Sequence, residues 1–150
     1  MLEIIEAWAG AAWLRESPTA YLFVNAAHIL GIGLLLGAIL PLDLRLLGLF
    51  RRFPLDALRP FLARAAATGL AMAAITGLWL FSVKPAEYWE NEAFRWKLVL
   101  LAFALINVAI QHRGSASAGA VVTSLTRASA TVSLCLWLAV LVAGRWIGFL

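Results

Sequence analysis

The chain has 150 residues, 63% of them hydrophobic and only 13% charged, with a net charge of +4. Soluble domains average about 45–50% apolar and about 25% charged residues, so this chain has too few charges to coat a water-soluble surface. Its basic residues stand at the ends of apolar runs and form no stripe, which excludes a nucleic-acid-binding face.

At the N-terminus Leu2, Ile5, Trp8, Ala9, Ala12 and Trp13 recur at helical spacing, with Glu3, Glu6 and Arg15 off that face. The pattern predicts a short amphipathic helix lying in the membrane interface. Glu3 and Glu6 stand where a secretory signal carries Lys or Arg, and no apolar core follows directly. The segment is therefore expected to be retained.

Ser17-Pro18 supplies an N-cap followed by proline at the first helical position. The first span is predicted over residues 18–40, and Pro41 is expected to end or kink it. Residues 42–50 keep helical spacing and are expected to emerge along the interface. Arg51, Arg52, Pro54, Arg59 and Pro60 mark a polar loop, and a second span follows over about 61–83. Lys84-Pro85 stops that span, and the acidic, aromatic residues 87–92 read as a loop. A third span covers about 95–112, then Gly114-Ser115-Ala116-Ser117 signals a turn. The fourth covers about 128–149, with helix starting as early as Ala120. Each crossing needs about 20 apolar residues, so four spans is the consistent count. The predicted fold is all-α: one domain, a four-helix transmembrane bundle preceded by an interfacial helix.

Basic residues set the orientation. The side carrying both termini, side A, has Arg15, Lys84, Arg95, Lys97 and Arg145; side B has Arg45, Arg51, Arg52, Arg59, Arg64, Arg113 and Arg127. Six of the eight acids and six of the seven tryptophans also fall near side A, and only Trp137 lies deep. Side B is accordingly expected in the cytoplasm and both termini in the periplasm.

His28 is the first candidate for chemistry. It lies ten residues into the first span, about 15 Å below side A at the helical rise. An ionisable group at that depth is a functional-site hypothesis by default. Asn107 lies level with it on the third span and Asn25 shares its face at i−3, so a cluster of Asn25, His28 and Asn107 is geometrically allowed. In one reading His28 ligates a haem iron or a metal, or relays protons; in the other, neutral His28 bonds Asn107 or a carbonyl and glues two helices. His112 is the sole candidate for a second haem ligand, some 8 Å deeper by the same rise, and is equally placed to be a cation at a helix C-terminus. No Cys-x-x-Cys-His run exists, which excludes covalent c-type haem. Cys135 and Met72 would suit Cu(I), although Cys135, inside an apolar stretch, reads as packing.

Asp43 and Arg45 follow Pro41 at the side B boundary. Two residues apart on a helix they do not face each other, so each can instead pair with Arg64, Arg113 or Asp56; the two read either as an interfacial anchor with a snorkelling arginine or as the lining of a cytoplasmic-side head-group or quinone pocket. Arg145, one turn inside the last span, either snorkels to side A or sits under an anionic propionate or quinone oxygen. Gly33 and Gly37 form a Gly-x-x-x-Gly with Gly31 nearby, and Ala66, Gly69, Ala73 and Gly77 form a small stripe on the second span; both are helix-packing signals. Ser82, Ser133 and Thr76 have no His–Asp partner close in sequence, and no phosphate loop or His-Glu-x-x-His motif is present. Paired broken helices of the transporter kind are absent too.

At His28-Ile29-Leu30-Gly31, Asp43-Leu44-Arg45-Leu46-Leu47-Gly48, residues 91–97 and Gly144-Arg145-Trp146-Ile147 the chain resembles a family of uncharacterised four-helix bacterial inner-membrane proteins. The resemblance covers nearly the whole chain and implies fold and location, not activity. More distantly, a helical bundle with a mid-span histidine is similar to copper-resistance protein D and to small b-type cytochromes, which usually carry several mid-span histidines. The expectations are therefore a b-type haem or metal-handling redox protein with His28 as ligand, Asn107 as its orienter and Arg145 as an anion partner; or a non-enzymatic subunit that contacts lipid and docks a membrane partner or a second copy; or, third, a small transporter.

Overall fold

The computed structural model describes residues 2–118 and 122–149, with side chains from Ile4 to Arg113 and from Val122 to Phe149. Seven helices follow one another: α1 (Leu2–Glu6), α2 (Ala9–Glu16), α3 (Pro18–Leu47), α4 (Leu55–Val83), α5 (Pro85–Glu90), α6 (Glu92–Ala118) and α7 (Ser124–Trp146). A 3-10 turn, Ile147–Phe149, closes the chain. Four of these helices, α3, α4, α6 and α7, are long and apolar enough to cross a membrane. No more than 33% of any span's most apolar window is buried inside the protein. The outward apolar surface, which includes Leu22, Phe23, Ile29, Leu30, Ile75, Phe103 and Val142, therefore needs lipid around it.

The N-terminal segment is two short helices. Residues Ala7 and Trp8 break it, and α2 lays Leu14 against Ala20, Leu80 and Val83, with Ala11 also buried. Of the face read from the spacing, Ile5, Trp8, Ala9 and Trp13 are exposed, and the Trp8 and Trp13 rings lie tilted against Trp79 at 6.1 and 6.0 Å. Trp79 Nε1 donates to the Gly10 carbonyl at 3.0 Å, and Arg15 donates to the Val83 carbonyl, also at 3.0 Å. Both bonds tie the interfacial helix to the end of α4.

Ser17 caps α3 as expected, accepting from the Ala20 N–H at 3.2 Å. The helix does not end at Pro41. It runs on to Leu47 and stops at Gly48, whose φ of 106° lies in the left-handed region that glycine enters without strain. Proline removes one hydrogen bond, and packed neighbouring helices make that tolerable inside a bundle. The expected 51–60 loop is likewise shorter, because α4 begins at Leu55 and carries Pro60 inside it. Residues 87–92 are not a loop either: α5 ends at Glu90, and the Asn91 side chain accepts from the Phe94 N–H to start α6. The expected turn at 114–117 is absent, since α6 continues to Ala118. Thr123 caps α7; the earlier start near Ala120 lies outside the described residues.

The spans pair as two hairpins. α3 packs along α4, α6 packs along α7, and α3 and α7 join the two pairs. The α3–α4 crossing is made by glycine, but not by the expected Gly33 and Gly37, which face open space. Gly31 and Gly69 meet instead. A Cβ on Gly69 would lie 2.5 Å from the Leu35 nitrogen, and one on Gly31 would lie 2.7 Å from the Ala73 nitrogen. Backbone therefore touches backbone. The main apolar core lies on the α3–α7 side, where Leu35, Ile39, Ala104 and Trp137 are buried together.

Candidate functional site

His28 projects from α3 onto α4. Its Nδ1 lies 2.9 Å from the Ala73 carbonyl oxygen and 3.1 Å from Thr76 Oγ1. A carbonyl only accepts, so Nδ1 carries the proton. Thr76 donates its own hydroxyl proton to the Met72 carbonyl at 2.6 Å, which leaves its oxygen free to accept from His28. These two bonds fix the tautomer and place the lone pair of a neutral ring on Nε2. The ring lies over Gly77, where a Cβ would come 2.9 Å from Cε1. The small stripe Gly69, Ala73, Gly77 thus serves two purposes: it admits the α3 backbone at one level and the imidazole at the next.

The level cluster of Asn25, His28 and Asn107 does not form. Asn107 faces α7, donating from Nδ2 to the Ser129 carbonyl at 3.1 Å and accepting from Ser129 Oγ at 2.8 Å. Depth arithmetic placed the two residues at one height, but their side chains turn to different partners, His28 to α4 and Asn107 to α7. Asn25 is exposed on the outer surface of α3. Lys97 is half-buried on α6 beside Gly144. Sequence reasoning did not assign Ala73 or Thr76 to the site; small residues at i−4, i−1 and i around Gly77 were the available signal.

His112 is exposed near the end of α6, whereas His28 turns toward α4, so the two histidines do not share a facing pair of helices. Among the described residues no group of three or more His, Cys, Asp or Glu side chains comes together. Cys135 is exposed on the outside of α7 and stands apart from Met72 on α4. Arg145 is exposed, with its guanidinium 4.7 Å above the Phe149 ring, the posture of a snorkelling interfacial arginine.

Asp43 and Arg45 diverge, as their spacing requires. Arg45 donates to the Phe53 carbonyl at 2.9 Å and the Arg51 carbonyl at 3.3 Å, closing the loop after α3. Asp43 turns inward, only 2% exposed, with Ser133 of α7 and Gln111 of α6 as polar neighbours. These are not the arginine or aspartate partners expected for it.

At side A an open cavity of about 730 Å³ is lined by Tyr21, Lys84, Glu87, Tyr88, Asn91 and Ile147, among others. Its lining includes neither His28 nor Asn107. The Tyr88 phenol there is pushed up to about 12, first by burial and then by the neighbouring Tyr21. Lys84 is raised by its hydrogen bond to Glu87, 2.8 Å away.

Comparison with protein-family models, with curated proteins and with solved structures finds no match to this chain.

Proposed function

We propose that this chain is a non-enzymatic integral membrane subunit, in which the polar side chains inside the spans lock the helices into one geometry. The observation that carries this reading is where those side chains direct their hydrogen bonds. His28 bonds across α3–α4, and Asn107 bonds across α6–α7. Interhelical hydrogen bonds of this kind stabilise a bundle by about 0.6–2 kcal/mol each, enough to select one packing among several apolar ones. The lipid-facing surface then remains for the bilayer and for a docking partner, whether another membrane protein or a second copy. The bacterial inner membrane with both termini periplasmic fits the basic residues of side B.

One specific observation favours a second reading, a haem b or copper site with His28 as its single protein ligand. Metal-binding histidines characteristically donate the other ring N–H to a carbonyl or carboxylate, which is the arrangement of His28 Nδ1 and Ala73. His112 takes no part in this version.

Protein purified in mild detergent from haem- and copper-replete cells separates the two. The subunit reading expects a colourless, metal-free preparation and a constant partner in crosslinking. A Soret band, or bound copper, that disappears in His28→Ala and survives in His112→Ala establishes the second. A colourless bundle that runs alone removes the docking claim as well.

A further inference from the structure

Among the described residues Asp43 is the one buried acid inside a membrane-length apolar helix. It is 2% exposed, and its Oδ2 has no hydrogen-bond partner. Ser133, also 2% exposed, faces it from α7, and Gln111 faces it from α6. Both neighbours are neutral. One helical turn toward side A lie Ile39 on α3 and Trp137 on α7, which pack together with Leu35 and Ala104 as an apolar plug. The Trp137 Nε1, in a side chain 1% exposed, is likewise without a partner.

Among the described residues no ion pair to Asp43 is found. On α3, the Arg45 guanidinium is committed to the carbonyls of Arg51 and Phe53. On α4, Asp56 and Arg64 are exposed and Arg59 is half-buried. His112 and Arg113 on α6, and Arg127 on α7, are exposed. The ion pairs Arg15–Glu6, Lys84–Glu87 and Arg95–Glu92 all lie at the opposite end of the bundle.

A buried carboxylate with only neutral partners bears the desolvation cost of its charge without a counter-ion, whereas the carboxylic acid fits neutral partners well. An ionisable side chain facing the interior of a span commonly serves a proton path. We propose that Asp43 is an internal proton site that communicates with side B alone. On release the carboxyl O–H bond breaks, the proton passes to water at side B, and the negative charge stays on Asp43, held by the Ser133 hydroxyl and the Gln111 amide. The Ile39–Trp137 plug closes the route to side A. The end of α3 at Leu47 lies four positions beyond Asp43, about 6 Å of helix, so the path to side B is short. This site is independent of the subunit reading and of His28.

Infrared spectroscopy of the full chain in lipid vesicles tests it. The expected result is a protonated-acid C=O band at neutral pH that is absent from Asp43→Asn and disappears when the wild type is made alkaline. Ser133→Ala should keep the band and shift its frequency, which identifies the acid even where Asp43→Asn fails to fold. In vesicles with one protein orientation, raising the pH at side B alone should abolish the band. Absence of an acid band at neutral pH overturns the proposal, and so does a band unmoved by Ser133→Ala. Loss of the band on raising the pH at side A alone overturns the one-sided access.

Discussion

The two hairpins of this bundle are held by different means. In α3–α4 the backbones meet at Gly31 and Gly69, and His28 bonds to a backbone carbonyl one turn away. In α6–α7 the contact is made by side chains, through the reciprocal Asn107–Ser129 bonds and Ala104 packed with Trp137. A backbone contact leaves no room for relaxation, because neither partner can rotate away. A side-chain pair can be weakened in steps. The first hairpin should therefore respond to substitution as a switch and the second as a graded scale.

The largest effect expected is at the glycine crossing. Gly69→Leu places its Cβ against the Leu35 nitrogen and the Gly31 oxygen, both backbone atoms, at 2.5 and 2.8 Å. Overpacking there should cost about 3 kcal/mol, read as a lower unfolding midpoint in mixed micelles. A Gly69→Leu bundle as stable as the wild type would show that the hairpin is not locked by its backbone.

The second hairpin should lose less. Asn107→Ala is expected to cost about 1 kcal/mol. Because the two residues bond each other, Ser129→Ala added to Asn107→Ala should cost less than the sum of the single changes. Full additivity in that cycle would mean that the pair does not act as a unit.

Next is a pH effect confined to the side A connection. Burial holds the Tyr88 phenol's proton in the folded chain up to about 12, against about 10 for an ordinary phenol. Its stabilising contribution is thus fully present below about 10, the ordinary phenol value, and is lost as pH rises through about 12. The unfolded chain ionises first, and that ionisation draws the equilibrium toward unfolding. Tyr88→Phe should flatten the alkaline arm of a stability–pH curve and leave its neutral part in place. An unchanged alkaline slope would place the phenol in solvent.

The smallest effect is expected at Gly33. A Cβ there meets nothing within 4 Å, so Gly33→Leu should change monomer stability by less than about 0.5 kcal/mol. Two glycines two residues apart on one helix, Gly31 and Gly33, would then differ from switch to silence. A large loss at Gly33 would erase the distinction between the buried and the open face of α3.

The apolar runs made the number of spans legible, because a crossing must be long and unbroken. Their ends were less legible. Pro41 read as an end or a kink and Pro60 as part of a loop, yet a helix inside a bundle carries proline when its neighbours shield the freed carbonyl. The rotation of each helix was hidden for a deeper reason. In lipid both faces of a span are apolar, so hydrophobic spacing along α3 does not say which side is inward. That is why Gly33 and Gly37 looked like the packing motif and Gly31 turned out to be. His28 shows the same limit, since counting residues fixed its depth beside Asn107 and left its direction open. The tautomer-fixing bond to Ala73 depends on that direction, and only the three-dimensional arrangement supplies it.

The α3–α7 contact also has a consequence for synthesis. The chain emerges from its N-terminus, so α3 and α4 can close their glycine crossing and the His28 bond while α7 is still untranslated. Ser133 and Trp137 arrive with the last helix. Until then Asp43 lacks its Ser133 neighbour and the Trp137 plug, and the unfinished bundle must shelter an acid in lipid or at the membrane surface. Assembly is thereby given an order: a rigid first pair inserts, and the acid is enclosed only when the final crossing arrives.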